Sequence, residues 1–338
     1  MKKKTLIIGG GGFIGMNIAK FLVKRGDSEL TLADSVFNRN NLEYFDCDDL
    51  KKIIFIKDDF TQIAAFENLK KEYDFVYILA SVVGVNNTLE NPYDVIQVNT
   101  SIILNTLNWL QKIEVKKILF SSTSETYSGT TDTFDVPVPT NESVPLCIKD
   151  SSDPRFTYAI TKILGESAFL TCAKKFNFET TIVRYHNVFG PDMGFKHVIP
   201  HLVERIFKRE NPLKMYGHKQ TRAFSFIDDA VMGSILAMEN EDSDGEIFHI
   251  GSPEEITIET LIREVGRLMN YDGDYIKAQT FPGSVERRAP DISKANRILG
   301  YQPKISWKKG LERTVKWYEN FFKINEKARE DGFRAHHN

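Results

Sequence analysis

The sequence predicts an α/β protein built on a doubly wound parallel sheet, and three observations carry that prediction. Short apolar runs of strand length alternate with longer stretches of helical periodicity, the pattern of repeated βαβ units. The first run passes at once into a cluster of glycines and then a helix-like stretch. The second run closes on an acidic residue, Asp34, nineteen positions after Gly15. With 338 residues the chain can form one large domain or two modest ones, with ample core.

The first unit is the most specific. Thr5-Leu6-Ile7-Ile8 reads as a strand, Gly9 to Gly12 as a tight turn, and Phe13-Ile14-Gly15 as the start of a helix whose apolar positions run from Met16 to Lys24. Gly10-x-Gly12-x-x-Gly15 and Gly9-x-x-Gly12-x-x-Gly15 are both satisfied. Either spacing suits a Rossmann-type turn in which a bare helix N-terminus faces a pyrophosphate, because a Cβ there would hold the phosphate away. The next strand, Glu29 to Ala33, ends at Asp34, whose carboxylate can accept from both ribose hydroxyls and repels a 2′-phosphate. NAD is therefore expected over NADP, a preference that Arg39 weakens.

Further strands are expected at Ile53 to Ile56, Phe75 to Leu79, Lys117 to Ser121 and Thr180 to Arg184, with helices at Asp94 to Gln111 and Tyr158 to Lys175. Asp59, with Phe60 behind it, follows a strand end where a carboxylate can meet an adenine amine, although N-capping suits Asp58 or Asp59 equally well. Leu79-Ala80-Ser81 ends its strand in small residues that let a cofactor approach the backbone. Past Gly190-Pro191 the pattern breaks into short pieces such as Ala223 to Ile227 and Glu246 to Ile250. Residues 1–190 are read as the dinucleotide-binding domain, 191–325 as mainly a smaller C-terminal α/β substrate lobe, and 326–338 as a charged, frayed tail. His336 and His337 in that tail are not read as a metal site.

Composition excludes several classes. The 44 basic and 46 acidic residues are well mixed and leave a net charge of −2, so no field gathers nucleic acid or an anionic membrane. No apolar stretch is long enough to span a bilayer, and Met1-Lys2-Lys3-Lys4 precedes too short an apolar run for a signal peptide. Cys47, Cys147 and Cys172 are read as reduced thiols acting as small buried hydrophobes. A soluble cytoplasmic protein is expected.

Tyr158 and Lys162 stand four apart at the head of a predicted helix, which puts them on one face. A phenol is too weakly acidic to serve as a base near neutrality unless a neighbouring ammonium favours its ionised form, and such a lysine can also hold the nicotinamide ribose. Upstream, Phe120-Ser121-Ser122-Thr123-Ser124-Glu125-Thr126-Tyr127 forms a strand end rich in hydroxyls, at the sheet edge where ligands lie.

With these pieces in view, the chain resembles an extended short-chain dehydrogenase/reductase of the NAD-dependent epimerase/dehydratase family, the branch that modifies nucleotide sugars. The likeness rests on the glycine turn, Asp34, Asp59-Phe60, Leu79-Ala80-Ser81, Asn99, Ser122-Thr123, Tyr158 with Lys162, Arg184-Tyr185-His186-Asn187 before Gly190-Pro191, Arg222 before Phe226-Ile227-Asp228-Asp229, and Arg288-Ala289-Pro290-Asp291. It implies that Tyr158 is the general base, that Lys162 lowers its pKa, and that Thr123 holds the sugar O4. It implies NAD contacts from Gly9, Gly12, Phe13, Ile14, Gly15, Asp34, Asp59, Phe60, Leu79, Ala80, Asn99, Tyr158 and Lys162. Asn187 would touch the substrate phosphates, and Arg222 and Arg288 would grip the diphosphate in the bidentate way guanidinium allows. His186 departs from the small or apolar residue usual at its place, and either touches the sugar or fills space beside the cofactor. The resemblance also implies a homodimer through the helices carrying Ile102, Ile103, Leu107, Leu110, Ile163, Leu164, Phe169 and Leu170.

The implied chemistry begins with oxidation at C4 to a 4-keto sugar. A 4-epimerase, which needs only Thr123, Tyr158 and the cofactor, is the leading expectation. A 4,6-dehydratase or a uronate decarboxylase is the alternative, and a catalytically silent NAD-sensing regulator comes from a different class. In Thr123-Ser124-Glu125, Ser124 stands where many dehydratases carry a proton-donating aspartic acid, and a hydroxyl is a poor donor. Glu125 either acts at C5 or C6 or serves as a structural acid under the nicotinamide.

Overall fold

The computed structural model describes residues 2–37, 45–280 and 285–335. Arg39, His336 and His337 lie outside the described residues. Fourteen strands occur among them: β1 (Lys3–Ile8), β2 (Ser28–Asp34), β3 (Ile53–Lys57), β4 (Glu72–Ile78), β5 (Glu114–Thr123), β6 (Glu179–Tyr185), β7 (Val188–Phe189), β8 (Leu213–Tyr216), β9 (Thr221–Ala223), β10 (Ser225–Phe226), β11 (Glu246–Ile250), β12 (Glu255–Thr257), β13 (Tyr275–Ala278) and β14 (Arg287–Arg288). The principal helices are α1 (Phe13–Arg25), α2 (Pro92–Leu110), α3 (Thr157–Phe176), α4 (Val198–Phe207), α5 (Ile227–Glu239), α6 (Ile258–Leu268), α7 (Ser293–Leu299) and α8 (Trp307–Ala335). The last continues through the stretch read as a tail.

Seven strands form one parallel sheet in the order β11-β6-β5-β4-β1-β2-β3. Strand order reverses between β1 and β4, and the carboxyl ends of those strands frame the crevice where a doubly wound sheet takes its ligand. The strands alternate between two cores. Ile7 packs with Met16 and Ile18 of α1 and with Ala230 and Ile235 of α5, whereas Leu6 and Ile8 pack with Ile103 and Leu107 of α2 and Phe169 of α3. A strand buried on both faces reads as a continuous apolar run, which is why short apolar runs marked most of the sheet's strands.

The predicted break at residue 190 is crossed twice. α5 packs against α1, and β11 pairs with β6 as the edge of the main sheet, so Glu246–Ile250 belongs to the dinucleotide domain rather than to the lobe. A parallel edge strand must be reached by a crossover helix, and β10-α5-β11 supplies one. The expected strand Ala223 to Ile227 is divided into β9, β10 and the first residue of α5. What remains of the lobe is the three-stranded sheet β12-β9-β14, the pair β13-β8, and α4, α6 and α8.

Two expectations need correction. Cys47 is exposed, and Cys147 and Cys172 are half-buried, so none of the three is a core hydrophobe, though all are free thiols. Of the apolar residues assigned to a helix-pairing face, Ile102, Ile103, Leu107, Leu110 and Phe169 lie in the core of a single chain. Tyr93, Ile96 and Leu104 of α2 and Ile160 of α3 face outward together with Leu164, an assigned position. A helix over a parallel sheet needs a broad apolar stripe, which absorbs those positions.

Candidate active site

The glycine turn divides its labour. Gly9 has φ +92° and lies so close to β4 that a Cβ would sit 2.4 Å from Ala80 N, while a Cβ on Gly15 would come within 2.3 Å of Gly9 O. These two glycines let β1, β4 and α1 meet. Gly12 is different: it is exposed at the N-cap of α1, and a Cβ there would meet nothing nearer than Gly9 O at 3.3 Å. No side chain caps α1 and no acidic residue stands in its first turn, so the bare N–H groups and the helix dipole face the open crevice. The cradle at Gly12 fits a pyrophosphate.

Asp34, at the end of β2, accepts from Gly11 N at 2.9 Å and Val36 N at 3.2 Å. Its burial pushes the carboxyl above the usual aspartate range, and those backbone hydrogen bonds oppose the shift. It stands beside the turn, as a ribose-binding acid must. Asp59 is exposed and accepts from Thr61 N and Oγ1 at 3.0 and 2.7 Å, a local turn and not a helix cap, while the Phe60 ring packs edge-on against Phe66. Phe13 and Ile14 are half-buried in the first turn of α1, and Leu79 and Ala80 both donate to Ile8 O, closing the end of β4. The Asn99 side chain is fully engaged: it accepts from Val82 N at 2.7 Å and Ser81 Oγ at 3.1 Å, and donates to Val82 O and Thr161 Oγ1. It shapes the β4 end from behind.

β5 and α3 bring the proton-handling groups together. Burial and the charge of Glu125 push the Tyr158 phenol well up, and the neighbouring side chains of Thr123 and Ser81 oppose the shift. Lys162 is 3 % exposed and donates to Ser121 O at 2.8 Å, one turn along α3. Burial brings it down to about 7, with Glu166 acting in the opposite sense. Lys162 Nζ also lies 5.7 Å from the centre of the Tyr158 ring, so the two side chains that the resemblance pairs are neighbours in the fold. Ser124 is buried.

Glu125 forms an ion pair with Arg288, Nη1 to Oε1 and Nη2 to Oε2, and accepts from Ser128 Oγ at 2.9 Å. Burial works against its ionisation, but Arg288 and Ser128 outweigh burial and hold the carboxyl at about 2. Arg288 lies in register with Arg222 on the paired strands β14 and β9, so the two expected diphosphate ligands are cross-strand neighbours. Arg222 donates to Thr221 O at 2.8 Å, and burial followed by the Arg288 charge lowers it to about 10. Asn187, at φ +40°, donates to Ala223 O at 3.0 Å and so ties the end of β6 to the lobe.

Sequence reasoning missed the polar frame beneath these groups. Glu166 accepts from Ser122 and from Arg184, Arg184 also donates to the Tyr127 hydroxyl, and that hydroxyl meets His249 Nε2 at 2.7 Å. Glu166 had a readable signal, since it extends the Tyr158-Lys162 ladder by four residues. His249 had none, because its place depends on β11 joining the main sheet. Among the described residues no cluster has the composition of a metal site, and no helix is long and apolar enough to cross a membrane.

Comparison with known proteins agrees with this geometry. Residues 5–251 match the model of the NAD dependent epimerase/dehydratase family. A UDP-N-acetyl-alpha-D-glucosaminuronate decarboxylase of Bacillus cytotoxicus is 32% identical, over 94% of this chain and 98% of its own. A UDP-glucuronate 4-epimerase of Thermodesulfobacterium geofontis is 31% identical, over 92% and 95%. Among solved structures, the UDP-glucose 4-epimerase of Thermotoga maritima with UDP-glucose superimposes with a TM-score of 0.82 at 27% identity, covering 94% of this chain and 99% of that one.

Proposed function

The chain belongs to the NAD dependent epimerase/dehydratase family, and from that premise we propose that it oxidises a UDP-hexuronate at C4 and then releases its carboxylate as carbon dioxide. It is an NAD-dependent enzyme acting on a nucleoside diphosphate sugar. The observation that carries the finer reading is the Glu125–Arg288 ion pair beside Thr123 and Tyr158. A simple 4-epimerase has no need of a charged pair beyond the C4 machinery. A dehydratase needs a neutral acid to expel the C6 hydroxyl, yet Glu125 is held ionised and Ser124 is a hydroxyl. A charged pair fits a sugar whose C6 is itself a carboxylate.

When bound, NAD supplies the reversible acceptor for the hydrogen at C4. Gly12 and the start of α1 hold its pyrophosphate and Asp34 its ribose, while Lys162 positions the nicotinamide end. Thr123 holds O4 and Tyr158 takes its proton as C4 becomes a ketone. A 4-keto uronate is a β-keto acid: the C5–C6 bond breaks, carbon dioxide leaves, and the electron pair moves into an enolate whose charge rests on O4. Thr123 and Tyr158 stabilise that oxygen, and C5 then gains a proton. Arg222 and Asn187 hold the diphosphate end, while the Arg288 guanidinium is committed to Glu125 beside Thr123.

Retention of the carboxylate with inversion at C4 is the second reading, favoured by the likeness to the UDP-glucuronate 4-epimerase. Incubation with UDP-glucuronate and UDP-N-acetylglucosaminuronate, followed by mass spectrometry and NMR, separates the two: loss of carbon dioxide supports decarboxylation, unchanged mass with a new anomeric signal supports epimerisation. We further propose a cytoplasmic homodimer joined through α2 and α3, on the outward side chains Ile96, Leu104, Ile160 and Leu164.

A further inference from the structure

His186 is a buried residue just beyond the carboxyl end of β6 whose polar atoms are left over. It follows β6, its backbone N–H donates to Ile250 O at 3.0 Å, and its side chain is 1 % exposed. Neither ring nitrogen has a hydrogen-bond partner among the described residues. The adjacent ring, His249, lies edge-on at 4.6 Å, but its own nitrogens meet the Tyr127 hydroxyl and the Asp291 carbonyl. Gly251 and Pro290 close another side, since a Cβ on Gly251 would come within 2.9 Å of both His186 Cβ and Pro290 Cγ. A buried imidazole with a donor and an acceptor both unmet is costly, and a phenyl ring would fill such a space without that cost.

The surroundings say what kind of partner is missing. Burial first, then His249, Arg288 and Arg184, hold the ring well below its usual range, so it is neutral and carries one N–H. Arg288 lies two residues before Pro290, which like His186 borders Gly251, and it is the residue paired with Glu125. A water would satisfy hydrogen bonding alone. An anionic oxygen would accept from the ring N–H in a charge-assisted, and so stronger, hydrogen bond.

We propose that His186 donates a hydrogen bond to the carboxylate of the bound hexuronate and so selects a uronate over the neutral sugar. This rests on the uronate reading given above. The test uses the full-length, NAD-loaded protein carrying Tyr158→Phe, so that binding is read without turnover. Dissociation constants for UDP, UDP-glucose and UDP-glucuronate are measured by calorimetry with His186, His186→Phe and His186→Gln.

His186→Phe is expected to weaken UDP-glucuronate by about 10- to 100-fold while leaving UDP and UDP-glucose unchanged. His186→Gln, which keeps an N–H donor, is expected to recover most of the loss. Equal weakening of all three ligands, or of none, overturns the proposal in favour of packing or a buried water. If the His186 protein itself binds UDP-glucuronate no better than UDP-glucose, the uronate reading fails, and this assignment with it.

Discussion

Glu166 and Arg184 form a buried two-pronged ion pair beneath Lys162: Arg184 Nε donates to Oε1 at 2.8 Å and Nη2 to Oε2 at 2.5 Å, with neither side chain more than 5% exposed. Glu166 also receives the Ser122 hydroxyl, so one carboxylate joins α3 to the carboxyl ends of β5 and β6. Breaking such a pair leaves a bare charge in the interior. Glu166→Ala is therefore expected to cost about 3–5 kcal/mol of stability, read from denaturant midpoints. A loss under about 1 kcal/mol would contradict the framing role given to this pair.

Tyr158→Phe should abolish turnover while NAD and UDP-sugar binding stay near wild type, because only the ionisable oxygen is removed. Thr123→Ala should slow the reaction by roughly 10² to 10⁴. Lys162→Met should weaken both catalysis and NAD binding. Steady-state rates with parallel calorimetry check all three, and near-normal turnover in the Tyr158→Phe protein would end the proposed mechanism.

Glu125→Gln separates the chemical branches: carbon dioxide release should fall steeply, whereas a C4 epimerase would keep much of its rate. The same variant has a signature in acid. The Glu125 carboxyl stands at about 2 in the fold against an ordinary 4.5, so its stabilising effect is complete above 4.5 and is lost as pH falls toward 2. The gap in melting temperature between wild type and Glu125→Gln should hold at neutral pH and close across that window. A gap that widens on acidification would contradict the pairing with Arg288.

Gly12→Ala and Gly15→Ala should part company. A Cβ on Gly15 would press on Gly9 O at 2.3 Å, so that variant should lower the melting temperature sharply. Gly12 has open space and an ordinary φ of −80°, so its variant should fold and instead bind NAD less tightly. Normal NAD affinity in folded Gly12→Ala would remove the pyrophosphate from that turn.

Leu164→Asp on the outward face of α3 should convert a dimer into a monomer by light scattering at micromolar concentration. A wild-type monomer at that concentration would refute the assembly outright.

The first βαβ unit was legible in the sequence because every rule it obeys is local: strand length, glycine spacing and the offset to Asp34 all lie within one crossover. Tyr158 and Lys162 were legible for the same reason, since helix geometry alone puts residues four apart on one face. Residue types therefore pointed to the cofactor and to the sheet. The tertiary structure decided what those residues do to one another. Glu125 and Arg288 are 163 positions apart, and they meet because β14 pairs with β9 and brings the lobe over the end of β5. Asn99, read as a cofactor ligand, turns its amide to Ser81 and Val82, and β11 carries His249 against His186. Contacts of that range depend on which strands become neighbours, and strand pairing is set by the burial of whole faces, a property of the assembled sheet that no single stretch of sequence contains.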